Sequence, residues 1–265
     1  MLTRILADIK NQSTGTPMHA AQSKTAIITG GTRGIGEQLA KLLSEQGFKV
    51  LIIGRNTEQF FETKAPWKDN ITGQNCDLSD LNAVMALVEQ LKSEYPKLDM
   101  LINNAASQTE MDFFEFEEWQ RNCDNSLCEV ALNLTTPIIL SHALLEPIER
   151  ANGAIVNISS GLALSPKADA PTYSATKTAL SAFSKALRYQ CENKTSSAKI
   201  IEVIMSLVDT EMTQGRGTGK ISPLQAASEI LKGIGKQQNE IWIGKAKLLR
   251  IIHRLAPEIS ARILR

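Results

Sequence analysis

Ser160, Tyr173 and Lys177 are the residues of this chain whose types and spacing are best suited to proton transfer. Tyr173 and Lys177 are four residues apart in a helical pattern, so they share one face of the predicted helix. A phenol titrates at about 10, and an adjacent ammonium group favours the phenolate and lowers that pKa. Ser160 follows an apolar strand pattern, and its hydroxyl can donate to a substrate oxygen on which charge develops. The trio predicts acid–base chemistry at a carbonyl or alcohol group.

A glycine-rich turn, TGGTRGIG at residues 29–36, lies upstream of the trio, between an apolar run and a helical pattern. In dinucleotide-binding folds, glycines such as Gly30, Gly34 and Gly36 permit a tight turn, close approach of a pyrophosphate and close helix–strand packing. The helix N-terminus adds free N–H donors and partial positive charge. A tyrosine and a lysine four residues apart are more often an exposed helical pair. The serine and the glycine turn favour a nicotinamide-dependent site instead.

The end of the second predicted strand bears on which nicotinamide cofactor is bound. Proteins that bind NAD usually have an acid there for the ribose hydroxyls. This chain has Gly54 followed by Arg55, with Arg33 inside the glycine turn. Two guanidinium groups without a carboxylate suit a 2′-phosphate. The sequence predicts NADP(H) as the preferred cofactor, with NAD(H) as the alternative; the competing interpretation is two solvated surface arginines.

Alternating strand and helix patterns must position these residues. Apolar runs predict seven strands, at residues 24–29, 48–53, 71–76, 98–102, 154–158, 199–205 and 241–243. Helical spacing predicts helices at 34–46, 78–95, 116–149 (one long, imperfect helix), 171–193 and 223–234, and a basic helix closing the chain. This alternation predicts an α/β fold: a Rossmann-type doubly wound parallel sheet of about seven strands with helices on both faces.

Composition excludes several classes of function. The formal net charge of +1 indicates no nucleic-acid partner, and four cysteines and three histidines without ligand spacing predict no metal site. The cysteines are interpreted as reduced thiols of a cytoplasmic protein. We find no apolar run long enough to cross a membrane and no secretory signal. The predicted organisation is a flexible N-terminal extension, residues 1–22, and a single domain, residues 23–265.

The C-terminal segment, about residues 245–265, alternates apolar and basic residues in a helical pattern. Such a helix could contact an anionic membrane surface. Packing on its own domain or on a partner subunit is the favoured interpretation. The predicted substrate wall consists of residues 107–125, 161–171 and 212–221, and the glycines at 215, 217 and 219 fit either a mobile lid or an ordinary loop.

Further motifs give the chain a family resemblance. It resembles the short-chain dehydrogenase/reductase family over roughly residues 24–243, through the glycine turn and through CDL at 76–78, NNAA at 103–106 and YSATK at 173–177. The second half is similar to a narrower group, the DltE-like oxidoreductases, in SGLAL at 160–164, VDTEMTQGRGTGK at 208–220 and IGKAKLLR at 243–250. Two departures are Ala106 in place of a glycine and Met205-Ser206-Leu207 in place of a Pro-Gly turn that shapes the nicotinamide pocket.

The resemblance implies roles for individual residues. Ser160, Tyr173 and Lys177 would be catalytic, and Asn133 would hold a water for proton relay. Lys177 would also bind the nicotinamide ribose. Asp77 would contact adenine, Asn103 would lie beside the cofactor, and Thr210 would hold the carboxamide. The implied cofactor-binding set is Gly30, Thr32, Arg33, Gly34, Ile35, Gly36, Arg55, Asp77, Leu78, Asn104, Ala105, Tyr173, Lys177, Val208 and Thr210.

Together, the residues and the resemblance predict an NADP(H)-dependent oxidoreductase that acts on a small-molecule carbonyl/alcohol substrate. The resemblance also implies a homo-oligomer, either a homodimer or a homotetramer. Two alternatives stay open: a non-catalytic NADP(H)-binding sensor or scaffold protein, and a relative with epimerase or dehydratase chemistry. The substrate itself is not identified by any motif.

Overall fold

The computed structural model describes residues 23–63 and 69–264. The predicted N-terminal extension, residues 1–22, lies outside the described residues. Within the described part of the chain, no helix combines the length and the apolarity needed to cross a bilayer.

One parallel sheet organises the described residues, in the order β3-β2-β1-β4-β5-β6-β7. All of its neighbouring strands pair in parallel. Its strands are β1 (Thr25–Thr29), β2 (Lys49–Gly54), β3 (Ile71–Asn75), β4 (Met100–Asn103), β5 (Ala154–Ser160), β6 (Lys199–Met205) and β7 (Glu240–Trp242). The seven-stranded parallel sheet confirms the predicted fold class.

Helices cover both faces of the sheet. They are α1 (Gly34–Glu45), α2 (Thr57–Thr63), α3 (Leu81–Glu94), α4 (Trp119–Val130), α5 (Thr136–Ala143), α6 (Leu145–Arg150), α7 (Pro171–Asn193), α8 (Pro223–Gly235), α9 (Ala246–Leu255) and α10 (Pro257–Leu264). Helices α1, α2 and α8 share one apolar cluster with the sheet. Helices α3, α5, α6 and α7 share the other. Because both faces are covered, the inner strands read as continuous apolar runs, whereas β3, at the edge of the sheet, is mostly polar and exposed.

Successive residues of a strand belong to the apolar clusters on opposite faces of the sheet. Ile27 lies in one cluster and Ile28 in the other, and both are 0 % exposed. Each such side chain stabilises the fold by roughly 1.5–3 kcal/mol through burial. This two-sided burial holds the carboxyl ends of the strands rigidly at one edge of the sheet, where ligands bind in open α/β folds.

Three segments differ from the sequence-based expectation. The predicted helix at 116–149 is divided into α4, a π-helical turn at Ala131–Thr135, α5 and α6. Helix α2 was not predicted. The closing basic helix is two helices, because Pro257 cannot donate the backbone hydrogen bond that would continue α9 and instead begins α10.

Candidate active site

The glycine turn leaves open the space that a pyrophosphate requires. Gly30 and Gly34 have φ angles of +66° and +58°, a region that favours glycine. A Cβ atom at Gly36 would lie 2.3 Å from the carbonyl oxygen of Gly30. Arg33, the N-cap residue of α1, makes no side-chain capping bond, so the first N–H groups of the helix are available to an anion. The turn therefore fits a dinucleotide phosphate.

Asn104 fixes the turn to the end of β4. Its side-chain nitrogen donates to the carbonyl oxygens of Thr29 and Gly30, at 2.9 and 3.1 Å. The Thr29 hydroxyl accepts from the backbone N–H groups of Asn104 and Ala105, at 2.9 and 3.0 Å. These bonds hold the ends of two neighbouring strands together, which is the point where a dinucleotide would cross the sheet.

Asn103 is oriented differently from what the resemblance implies. Its side chain is 3 % exposed and donates to Asn157 at 2.8 Å and to Ser141 at 3.2 Å in the interior. Side chains alternate between the two faces of a strand, so only one residue of the Asn-Asn pair can turn toward the glycine loop. The side chain of Asn103 therefore points into the interior, and the side chain of Asn104 is the one that contacts the glycine turn.

The remaining residues of the implied cofactor set lie around the same edge. A Cβ atom at Gly54 would contact the Thr32 side chain at 3.6 Å, and one at Gly34 would contact Thr210 at 3.3 Å. Ile35 packs on the core, Leu78 and Val208 are buried, and Val208 forms a β-bridge with Ile221. The structure thus brings segments from the ends of β1, β2, β4 and β6 together.

Two arginines flank the edge where strand β2 ends. Arg33 forms an ion pair with Glu211, and both side chains are mostly exposed. Arg55 is exposed, and its charge contributes to lowering the pKa of the Asp77 carboxyl, which is lowered mainly by hydrogen bonds from Ser79. Among the described residues, Arg55 has no ion-pair partner. The pairing of Arg33 with Glu211 was not predicted from the sequence.

The Ser160 hydroxyl group acts on the Tyr173 phenol and lowers its pKa, so the two side chains are neighbours. Ser160 ends β5, and its hydroxyl oxygen also accepts from the backbone N–H of Leu162 at 3.1 Å. Tyr173 lies in the first turn of α7, which begins at Pro171 as predicted. The end of β5 and the start of α7 therefore bring the two hydroxyl groups near each other.

Burial sets the charge states of Tyr173 and Lys177. Burial raises the pKa of Tyr173 to about 12, against the hydrogen bond from Ser160, which lowers it. Burial lowers the pKa of Lys177 to about 8. The expected net lowering of the tyrosine pKa is absent in this structure. The phenol loses its hydration on burial, and the lysine Nζ lies 5.6 Å from the centre of its ring.

Lys177 is 3 % exposed and donates from Nζ to the carbonyl oxygen of Ile158 at 2.8 Å. It lies one helical turn beyond Tyr173 on the same face of α7. The carbonyl group belongs to β5, two residues before Ser160. The strand that presents the serine therefore also fixes the ammonium group.

Asn133 lies in the π-helical turn between α4 and α5 and is fully buried. Its side-chain oxygen accepts from the Ser107 N–H at 2.9 Å, and its nitrogen donates to the Ser107 carbonyl at 2.8 Å and to Thr176 at 3.3 Å. Its amide thus ties the loop after β4 to helix α7, next to Tyr173. π-Helical turns occur frequently at functional sites.

Glu129 and Arg216 also act on Tyr173, although no sequence motif had singled them out. The charge of Glu129 raises the pKa of Tyr173, and that of Arg216 lowers it. Glu129 is 1 % exposed in α4. Arg216 stands between two glycines with positive φ, Gly215 and Gly217. The sequence signals were the position of Arg216 within the predicted substrate wall and within the motif at 208–220.

The departure at Met205-Ser206-Leu207 is accommodated by glycines. A Cβ atom at Gly244 would lie 2.4 Å from the Ser206 hydroxyl oxygen, and one at Gly217 would lie 2.5 Å from the Leu207 side chain. Met205 itself remains within β6, in register with Ser160. The chain therefore turns after β6 without a Pro-Gly sequence.

Helix α9 contributes to the wall beside Ser160. A Cβ atom at Gly161 would lie 2.9 Å from the Leu249 side chain. Lys247 pairs with Glu229 at 2.8 Å, and the Arg250 guanidinium stacks on Trp242 at 5.2 Å. One face of the helix thus packs on its own domain, the interpretation favoured from the sequence. Leu248, Ile251 and Leu255 on another face are exposed.

The chain matches known proteins over most of its length. A family model described as short chain dehydrogenase matches residues 24–220. An uncharacterized oxidoreductase, DltE, from Bacillus subtilis (strain 168) is 41 % identical over 236 residues, covering 86 % of this chain and 91 % of the relative.

Solved structures share the fold. A short chain dehydrogenase from Burkholderia cenocepacia in complex with NADP superposes with a TM-score of 0.77 at 22 % identity, covering 92 % of this chain and 98 % of that one. A short chain dehydrogenase/reductase from Burkholderia phymatum in complex with NAD gives a TM-score of 0.77 at 18 % identity, over 91 % and 97 % of the two chains. Neighbours with this architecture therefore accommodate either nicotinamide dinucleotide.

Proposed function

Because the chain belongs to the short-chain dehydrogenase/reductase family of oxidoreductases, we propose that it interconverts a carbonyl and an alcohol with NADP(H) as the preferred cofactor and Tyr173 as the general acid–base. The observation that carries this proposal is the placing of Tyr173 and Lys177 one turn apart on the same helix, with Lys177 bonded to the strand that ends at Ser160. The family supports a nicotinamide-dependent reaction between CH–OH and C=O. The acid–base role of Tyr173 and the preference for NADP(H) are the two parts of the proposal that go beyond the family.

The proposed reaction is balanced by one hydride and one proton. The glycine turn, Arg55 and Lys177 would hold the dinucleotide, which would supply the hydride that the carbonyl carbon receives. The Tyr173 phenol would give its proton to the carbonyl oxygen, so the C=O double bond becomes a C–O single bond with new C–H and O–H bonds. Ser160 donates a hydrogen bond to the same oxygen as its negative charge develops. In alcohol oxidation, the same phenol oxygen takes the proton back.

Lys177 and Asn133 would support this transfer. The buried ammonium of Lys177 favours the phenolate that Tyr173 becomes after giving up its proton. Lys177 would also hold the nicotinamide ribose. Asn133 would serve in proton relay, as the resemblance implies, and its amide bonds to Ser107 and Thr176 position that turn against α7.

The preference for NADP(H) is supported by the charges at the end of β2. Arg55 and Arg33 lie at this edge without a carboxylate at the end of the strand. A 2′-phosphate there would receive charge-assisted hydrogen bonds from guanidinium groups. The ion pair between Arg33 and Glu211 is exposed, and such pairs contribute little, so it can exchange for a phosphate.

The function is tested by the turnover of NADPH with a panel of ketones, aldehydes and quinones. Turnover is measured as the loss of reduced-nicotinamide absorbance. We expect Tyr173→Phe to abolish turnover because it removes the transferable proton and keeps the ring. Tyr189→Phe makes the same chemical change at a half-exposed position of the same helix and should be silent. Full activity in Tyr173→Phe would refute the proposed acid–base role.

The alternative of a non-catalytic cofactor-binding protein finds no support in the comparisons. The chain retains Ser160, Tyr173 and Lys177 and places them at one edge of the sheet. Tight NADPH binding without turnover of any panel member would be the result that favours it.

A further inference from the structure

Helix α9 carries an exposed apolar stripe bordered by basic side chains. Leu248, Ile251 and Leu255 recur at helical spacing and are 59 %, 56 % and 78 % exposed. Residues 245–257 contain no acid, and their basic side chains are Lys245, Lys247, Arg250 and Arg254. The stripe and these basic side chains together form what we call the α9 face. Exposed apolar side chains grouped in this way are typical of an interaction surface.

The segment before α4 combines apolar side chains with the opposite charge. Residues 110–118, the acidic segment, contain three phenylalanines and five acids, with no lysine or arginine. Phe114 is 83 % exposed. Glu110 and Glu118 form ion pairs within the chain. The other acids of the segment are exposed and form no ion pair with any described residue: Asp112, Glu115 and Glu117.

The two surfaces contact the same loop, residues 209–221. Arg216 of this loop pairs with Glu110 at 3.0 Å, and the carbonyl oxygen of Thr218 accepts a hydrogen bond from Lys245 Nζ at 3.1 Å. Lys245 and Arg254 form no ion pair within the described part of the chain, so their charges are available to the acids of a partner. Since both apolar surfaces are exposed, they do not cover each other within one chain.

A contact between two copies would cover both surfaces at once. We infer that the α9 face of one copy binds the acidic segment of a second copy of this chain. Such a contact removes Leu255 and Phe114 from water together and brings opposite charges to face each other around them. The acidic segment belongs to the predicted substrate wall, so helix α9 of the partner subunit lies at the mouth of the site.

An anionic membrane is the other surface that a basic amphipathic helix binds. The acidic segment argues against a membrane, because it contacts the same loop as the α9 face and its carboxylates would be repelled by anionic lipid. A membrane would also leave Phe114 uncovered. A second copy accounts for both surfaces, whereas a membrane accounts for one.

Two variants that each damage one surface test the inference. Leu255→Glu places an acid in the α9 face, and Phe114→Lys places a base in the acidic segment. We expect each variant alone to raise the dissociation constant for self-association by about tenfold or more, because the new charge is buried opposite charges of the same sign. The measurement is sedimentation equilibrium.

An equimolar mixture of the two variants is the decisive sample. The α9 face is unchanged in Phe114→Lys, and the acidic segment is unchanged in Leu255→Glu, so one intact contact forms between the two chains. The mixture should therefore associate more tightly than either variant alone. Recovered association also shows that both variants are folded.

Leu224→Glu introduces the same charge at an exposed leucine of α8 and should associate like the wild type. Any of three results would overturn the inference: a monomeric wild type, association at the level of the wild type in either variant, or a mixture that associates no more tightly than the variants alone. A contact between two α9 faces, for example, would not recover in the mixture.

Co-sedimentation with vesicles of phosphatidylcholine and phosphatidylglycerol examines the membrane directly. We expect the wild type to remain in the supernatant. Pelleting that Leu255→Glu abolishes would assign the α9 face to the membrane and overturn the inference. None of these measurements requires turnover, so their outcome is independent of the proposed reaction.

Discussion

Burial disfavours the charged form of both residues at the proposed proton-transfer site. With its pKa raised to about 12, Tyr173 is a neutral phenol at neutral pH, which is the form needed to protonate a carbonyl oxygen. With its pKa lowered to about 8, Lys177 loses its charge within the range in which enzymes are commonly assayed. The lysine, and not the tyrosine, should therefore determine the pH dependence of reduction on the alkaline side.

The first prediction concerns that pH dependence. We expect kcat/KM for carbonyl reduction to fall above a pH of about 8, because neutral Lys177 no longer favours the phenolate that forms. The measurement is a profile of kcat/KM from pH 6 to pH 10. A value that stays constant up to pH 10 would contradict the assignment.

The second prediction concerns stability. Lys177 has a lower pKa in the folded than in the unfolded chain, so the unfolded chain binds more protons between pH 8 and 10.5 and stability rises with pH there. Lys177→Met should be stabilised relative to the wild type at pH 7. That advantage should shrink by roughly 3 kcal/mol by pH 10.5, as the buried charge of the wild type disappears.

Urea unfolding of the two proteins at pH 7 and at pH 10.5 measures this change. Lys185→Met, on the exposed side of the same helix, is the control and should show no comparable dependence on pH. If the free energies of unfolding of Lys177→Met and the wild type differ by the same amount at both pH values, the pKa of Lys177 is not lowered by burial.

Among the elements, the loop after β2 carries the third prediction. Arg55→Ala should raise the KM for NADPH by about tenfold to 100-fold, because a charge-assisted contact with the 2′-phosphate is lost. The KM for NADH serves as the internal control and should change little, since NADH has no such phosphate. An equal change in KM for NADPH and for NADH would show that Arg55 does not bind the 2′-phosphate.

The helices and strands differ in how well they could be predicted from the sequence. Helix α7 was predicted from Pro171 because proline favours a first helical turn, and the strands were predicted because both faces are buried. The π-helical turn at Ala131–Thr135 was not, since its extra residue depends on the packing of Asn133 against Ser107 and Thr176. Glu129 and Arg216 were missed for a similar reason: their juxtaposition depends on tertiary structure that neither local segment reveals.

On the scale of the whole molecule, the described residues leave apolar side chains exposed around α4. Phe114 is 83 % exposed and Leu127 is 70 % exposed, and Phe113, Phe116 and Trp119 are exposed as well. Exposed apolar residues in such proximity are typical of interaction surfaces. They support the prediction, still to be tested, that the protein is a homo-oligomer.

The fourth prediction follows from this surface. Sedimentation equilibrium should give a dimer or a tetramer for the wild type. Leu127→Glu should shift the equilibrium toward the monomer, because a charge buried in an interface without a partner is costly. Leu224→Glu introduces the same charge at another exposed leucine, in α8, and is the control. A monomeric wild type would contradict the predicted oligomer.

The order of the strands has a consequence for how activity arises during folding. β1 lies between β2, its neighbour in the chain, and β4, with Ala26 opposite both Val50 and Met100. The glycine turn can therefore begin to form against β2, whereas its bonds to Asn104 and the arrival of Ser160 and Tyr173 require distant strands, and such non-local pairing is slow. Regained turnover would mark one of the last events of refolding, so an activity assay reports completion of the sheet rather than its onset.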